Sequence, residues 1–161
     1  NLYFVFSFLI VTGIILLINK KLTGTKTLRE MKFTDSLGVG AFQCIGILPG
    51  ISRSGSTIFG GKVMKLSNED AAHFSFLMFL PVTAGSFLLE LISGWDQIVQ
   101  YKTFNLISDI IAVIIAGIVT FLSVKYLFKI IKKGKLHYFA FYCFAIGIIG
   151  IITCLCLRYG F

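Results

Sequence analysis

Apolar positions in this chain form long unbroken runs. Leu2 to Ile18 is apolar apart from Ser7 and Thr12. Similar runs cover Ala71 to about Ile92, Leu106 to Phe128 and His137 to Leu157. Each is long enough to cross a hydrocarbon layer, the first only just. The pattern predicts helical spans at about 2–18, 71–92, 106–128 and 137–157. Ser67-Asn68-Glu69-Asp70 reads as the start of the second span, with Ser67 and Asp70 as a capping box in which Asp stands for Glu. Pro81 is expected to kink that helix.

Residues 33–66 behave differently. Phe33 to Leu48 is apolar but rises only ~24 Å as a helix. It then meets Pro49-Gly50, which breaks a helix. A second short stretch follows, Thr57 to Leu66, with Gly60, Gly61 and Lys62 inside it. Neither piece spans alone, and together they predict a re-entrant hairpin.

Charge supports that reading. The chain has 15 Lys plus Arg against 7 Asp plus Glu, a formal net charge of +8. The basic residues cluster in loops: Lys20, Lys21, Lys26, Arg29 and Lys32 in one, Lys125, Lys129, Lys132, Lys133 and Lys135 around another. Such clusters mark cytoplasmic loops beside anionic headgroups, so no nucleic-acid partner is expected. With both clusters on one side and two spans between them, residues 33–66 must make an even number of crossings. Two full crossings need more residues than are present, whereas a re-entrant hairpin makes none. Hydrophobic residues make up 57% of the chain and mean hydropathy is +0.90, too apolar for a soluble domain of this size. The fold class expected is an all-α, polytopic membrane helix bundle, one membrane domain over 1–161. An apolar run beginning next to Asn1, without Met or a signal-peptide pattern, predicts an N-terminally truncated portion of a longer protein.

The candidate chemistry lies at the hairpin tip, Pro49 to Thr57. Gly50 and Gly55 permit tight turns and close ligand approach. A helix starting near Ser54 would aim unpaired amides at the tip, favouring an anion. Arg53 offers a planar donor fork that matches phosphate oxygens. Ser52, Ser54, Ser56 and Thr57 supply donors or a nucleophile. The plainer alternative is Arg53 as an interfacial anchor beside a serine-rich turn. The packing of two glycines, four hydroxyls and an arginine into nine residues at membrane depth argues against it.

The run Gln43-Cys44-Ile45-Gly46-Ile47-Leu48-Pro49-Gly50-Ile51-Ser52-Arg53-Ser54-Gly55-Ser56-Thr57 resembles the second signature of the undecaprenyl-diphosphate phosphatase family of the bacitracin-resistance type. Ala71 to Pro81 resembles that family's next helix. The resemblance implies hydrolysis of undecaprenyl diphosphate, which recycles the lipid carrier for cell-wall synthesis, on a fold of two inverted repeats. It implies Arg53 as phosphate clamp, with Ser52 and Ser54 beside it in the catalytic set. Gly50, Gly55, Ser56, Thr57 and Gln43 would bind substrate. Mg²⁺ or Ca²⁺ would assist, held by the diphosphate and by carboxylates of a first, Glu-rich signature that these residues do not include. No metal ligand is assigned within this chain. The expected setting is the bacterial inner membrane, with a lipid diphosphate as substrate and a homodimer as a possible assembly.

Re-entrant hairpins also build transport pathways, so a transporter or channel with an anion-binding loop is the alternative function. Elsewhere the bland readings prevail. Glu90 snorkels to an interface, and Asp35 caps a helix. His73 has no acid placed beside it by sequence and, like His137, reads as an interfacial hydrogen-bonding residue. The four cysteines, Cys44, Cys143, Cys154 and Cys156, read as small packing residues. Gly147 and Gly150 are a weak helix-approach signal. Trp95 and Tyr101, and Arg158 with Tyr159, read as interfacial residues.

Overall fold

The computed structural model describes residues 2–94 and 106–159. Six α-helices are found among them: α1 (Leu2–Lys21), α2 (Phe33–Ile45), α3 (Arg53–Val63), α4 (Asn68–Ser93), α5 (Leu106–Lys132) and α6 (Tyr138–Tyr159). Short 3₁₀ turns lie at Leu28–Glu30 and Lys135–His137. Four helices among the described residues are long and apolar enough to cross a membrane: Leu2–Lys21, Asn68–Ser93, Ile107–Lys132 and Lys135–Leu157. The protein is an all-α, multi-pass membrane helix bundle, as its apolar runs predict. Trp95 and Tyr101, and the side chains of Arg158 and Tyr159, lie outside the described residues.

The helices sort into two compact units, residues 77–129 and the remainder. In the unit 77–129, every position of α5 from 107 to 123 is exposed, including Val113 at 72% and Phe121 at 67%. So wide an apolar surface suits hydrocarbon and not water.

The other unit holds the candidate site. There α1 and α6 pack antiparallel. The Tyr3 hydroxyl donates to the Cys154 carbonyl at 2.9 Å. A β-carbon on Gly150 would lie 2.3 Å from the Phe6 ring, one on Gly147 2.7 Å from Ile10, and one on Gly13 2.9 Å from Phe144. Further along, Leu16 packs with Ala140 and Cys143. Gly147 and Gly150 therefore form a close helix contact that their spacing signalled only weakly. Both face α1 because the partner surface carries large side chains at Phe6 and Ile10.

α2 and α3 pack against each other as a helical hairpin. Gly38 faces Met64, and Gly60 faces Phe42, whose ring meets Phe59 edge-on with centroids 5.4 Å apart. Gly46 meets the start of α3, with a β-carbon there only 2.8 Å from the Arg53 Cα. Gly38 and the cap residue Gly46 on one arm, and Gly60 on the other, let the two arms close. Asp35 caps α2 by accepting from the Lys32 amide at 2.8 Å, and it also pairs with the Lys26 ammonium.

The loops at the open end of the hairpin are stitched together. The Lys26 amide donates to the Lys65 carbonyl at 3.0 Å, and the Ser67 amide to the Lys26 carbonyl at 3.0 Å. The Asp70 amide donates to the Ser67 hydroxyl at 3.1 Å, and the Ser67 hydroxyl also meets the Asp70 carboxylate. The capping pair predicted from the sequence thus forms, although the carboxylate takes the hydroxyl in place of the backbone amide. Lys132 reaches Glu69 at 2.7 Å, bringing part of the second basic cluster to the same end as Lys20 and Lys26. His73 has an acid after all: Glu69, one helical turn back, is 3.6 Å from its Nε2.

Candidate functional site: the tip of the helical hairpin

The hairpin tip is built on Pro49-Gly50. Gly50 has a φ of +100°, a left-handed conformation that glycine adopts without strain. A β-carbon there would lie 2.2 Å from the Val5 carbonyl oxygen. The turn is thus pressed against α1, and only glycine permits both the conformation and the approach.

Thr12 of α1 holds the turn. Its hydroxyl donates to the Gly50 carbonyl at 3.1 Å and accepts from the Ser52 amide at 3.0 Å. Thr12 is 2% exposed, so these backbone groups are satisfied away from solvent. In the sequence this threonine is only an interruption in an apolar run. Position 12 is near the middle of α1, about 15 Å of helix from either end at 1.5 Å per residue.

Helix α3 starts at Arg53, one residue earlier than the sequence suggests, because Ser52 is its N-cap. The Ser52 hydroxyl accepts from the Gly55 amide at 3.1 Å, and its carbonyl accepts from Ser56 at 2.9 Å. The Ser54 amide has no hydrogen-bond partner among the described residues and, as a first-turn amide, points back toward the tip. Arg53 and Ser52 are half-buried and Ser54 is exposed. Three candidate residues therefore share the start of one helix, where the helix dipole and the guanidinium add as positive charge.

Gly55 plays a different part from the expected turn. It is helical, and its lack of a side chain leaves room for the Ser52 cap, whose Cβ and Oγ lie 3.1 Å from a β-carbon built there. Thr57 is buried behind the tip. Its hydroxyl lies 3.1 Å from the Arg53 carbonyl and 3.2 Å from that of Ser54, and pairs with the Ser75 hydroxyl of α4. Ser56 is also buried, and its hydroxyl has no partner among the described residues. Gln43 is half-buried on the last turn of α2, the turn that Gly46 closes against Arg53.

The donor set at the tip is hydroxyls, amides and a guanidinium, which suits an anion. It does not suit Mg²⁺ or Ca²⁺, which take oxygen ligands rich in carboxylate. Among the described residues there is no group of three or more His, Cys, Asp or Glu that could hold a metal.

Comparison with known proteins gives a match to the family described as bacitracin resistance protein BacA, over residues 1–149. The chain belongs to this family. An undecaprenyl-diphosphatase of Halothermothrix orenii is 41% identical over 145 residues, 89% of this chain and 55% of that protein. One of Treponema denticola is 37% identical over 141 residues, covering 88% of this chain and 51% of the relative. One of Bacillus subtilis is 36% identical over 137 residues, 82% and 47% respectively. The chain spans about half the length of the curated relatives it matches.

Proposed function

We propose that this BacA-family chain forms the phosphate-holding part of an undecaprenyl-diphosphate phosphatase. The reaction cleaves the bond between the terminal phosphorus and the bridging oxygen. Water oxygen joins the released phosphate, and the bridging oxygen leaves on undecaprenyl phosphate, the carrier recycled for cell-wall synthesis. The observation that carries the proposal is Arg53 at the first position of a capped helix, on a turn bonded to the middle of a membrane-crossing helix.

In this reading the hairpin is re-entrant and belongs to one of two inverted repeats in a bacterial inner membrane. Arg53 clamps the terminal phosphate and offsets charge on the phosphoryl group as it transfers. The Ser54 amide and hydroxyl donate to the same oxygens. Ser52 holds the helix start in place and is a hydroxyl beside the reacting group. Ser56, Thr57, Gln43, Gly50 and Gly55 shape the pocket. Dependence on Mg²⁺ or Ca²⁺ would rest on ligands supplied by the diphosphate and by residues other than these. A homodimer is the assembly to look for.

The test is phosphate release from undecaprenyl diphosphate by the full-length protein in detergent with Mg²⁺ or Ca²⁺. Arg53→Ala should lower turnover by several powers of ten while thermal unfolding is unchanged. No release from folded full-length protein, across chain lengths and metals, overturns the proposal and favours transport.

A further inference from the structure

A second site lies at the basic end of the same unit. The end of α1, the end of α3 and the turn before α6 enclose a cavity of ≈ 190 Å³. That is room for roughly six water molecules at their liquid volume. Its polar lining is Asn19, Lys20, Thr23, Lys62, Asn68 and His137.

Two of these groups are buried with capacity unspent. Lys62 is 7% exposed, and its ammonium donates to the Asn19 backbone carbonyl at 2.9 Å. An ammonium has three donors, so others remain. A carbonyl dipole does not neutralise its charge, and burying an unmatched cation is costly. Among the described residues no carboxylate lines the cavity. The nearby acids are engaged elsewhere: Glu69 with Lys132, Asp70 with Ser67 and the Leu28 amide, and Asp35 with Lys26. Asn19 is 4% exposed, and its Oδ1 has no hydrogen-bond partner among the described residues.

The cavity thus offers cationic donors together with a buried acceptor. A carboxylate, a sulfate or a phosphodiester could satisfy Lys62 but has no proton for Asn19. A phosphate monoester or hydrogen phosphate has both acceptor oxygens and, near its second pKa of about 6, a P–OH donor. We infer that the Lys62–Asn19 cavity is a binding site for a phosphate-monoester group, from free phosphate or a lipid headgroup, separate from the hairpin tip. The inference does not rest on the phosphatase reading.

The experiment is calorimetric titration at pH 6 of inorganic phosphate, and separately of sulfate, into full-length protein carrying Arg53→Ala, in phosphatidylcholine nanodiscs. This background removes phosphate binding that depends on the tip arginine. The expected result is one equivalent of phosphate bound, with sulfate at least tenfold weaker. Adding Lys62→Met should weaken phosphate at least tenfold. Asn19→Asp, which supplies an internal partner for Lys62, should abolish binding and raise the melting temperature, so the inference stays testable if Lys62→Met does not fold. Nanodiscs containing phosphatidic acid identify the source: loss of phosphate uptake there assigns the site to a lipid monoester, and unchanged uptake assigns it to free phosphate. Equal affinity in the Lys62 or Asn19 variants, sulfate binding as tight as phosphate, or no binding to phosphate or to phosphatidic acid would each overturn the inference.

Discussion

The Thr12 hydroxyl lies 3.1 Å from the Gly50 carbonyl oxygen, and with it binds the hairpin turn to the middle of α1. The Thr12 hydroxyl also accepts from the Ser52 amide, so one side chain satisfies a backbone group on each side of Ile51. Thr12→Val keeps the shape and leaves both part-buried groups unpaired. The expected cost is about 1–3 kcal/mol, the penalty for orphaned buried polar groups. Thr12→Ser should recover most of it. Thermal unfolding of the three proteins checks the stability, and phosphate release checks whether the turn must be held for turnover.

The glycines of the hairpin should rank by what a side chain would meet. Gly50→Ala combines a φ of +100° with a β-carbon 2.2 Å from the Val5 carbonyl, and should cost more than the ~1–3 kcal/mol of backbone strain alone. Gly46→Ala drives a β-carbon to 2.8 Å from the Arg53 Cα, so it should lower activity by moving Arg53. Gly40→Ala meets nothing within 4 Å and removes a helix-interior glycine, so it should be stabilising by up to ~1 kcal/mol. Melting temperatures in one detergent would establish the order. Gly40→Ala as the worst of the three would contradict it.

Much of this was legible in the sequence, for identifiable reasons. Lipid demands long apolar runs, so the four long apolar helices could be read directly, and Pro49-Gly50 marked the break between two shorter arms. Hydroxyls, glycines and an arginine within nine residues marked the tip. Contacts between distant segments could not be read. Nothing near Thr12 in the chain shows that it meets Gly50, 38 residues on. Gly55 looked like a turn residue because local pattern cannot distinguish a left-handed glycine from a helical one that makes room for a cap. The Lys62–Asn19 pairing spans 43 residues, and Lys62 was legible only as a charge at the hairpin's base.

Arg53→Lys separates charge from geometry at the tip. Lysine keeps the positive charge but loses the planar fork that grips two phosphate oxygens at once. Activity should fall between wild type and Arg53→Ala, with kcat more affected than KM if the fork acts chiefly on the transferring phosphoryl group. A Lys variant as active as wild type would show that charge alone suffices.

Acid should loosen the base of the hairpin. The Lys26 hydrogen bond, followed by the Lys32 amide, holds the Asp35 carboxyl below the usual aspartate range. A depressed carboxylate contributes stability that is full above its unfolded pKa and is lost as pH falls through the folded one. Wild-type melting temperature should therefore drop more steeply below about pH 4, the ordinary aspartate value, than that of Asp35→Asn. Parallel pH profiles for the two proteins would remove Asp35 from the account.

Thr57 and Ser75 join α3 to α4 through buried hydroxyls, 2% and 6% exposed, each within hydrogen-bond reach of the other. Thr57 also lies within reach of the carbonyls of Arg53 and Ser54, so the contact runs from α4 to the backbone under the candidate site. Ser75→Ala removes one partner, and Thr57 can turn its proton to its own helix, so the loss should be small, about 0.5–1.5 kcal/mol. Thr57→Val leaves the Ser75 hydroxyl without this partner and releases the contact to the Arg53 carbonyl, so it should cost more. The double variant leaves neither hydroxyl in the pair, and should be less destabilised than the sum of the singles. A double-mutant cycle on melting free energies measures that coupling. Phosphate release on the same four proteins then separates two roles for Thr57. If activity tracks stability through the cycle, its hydroxyl only supports the tip. If Thr57→Val loses turnover well beyond its stability cost while Ser75→Ala does not, the hydroxyl contacts substrate despite its burial in the structure.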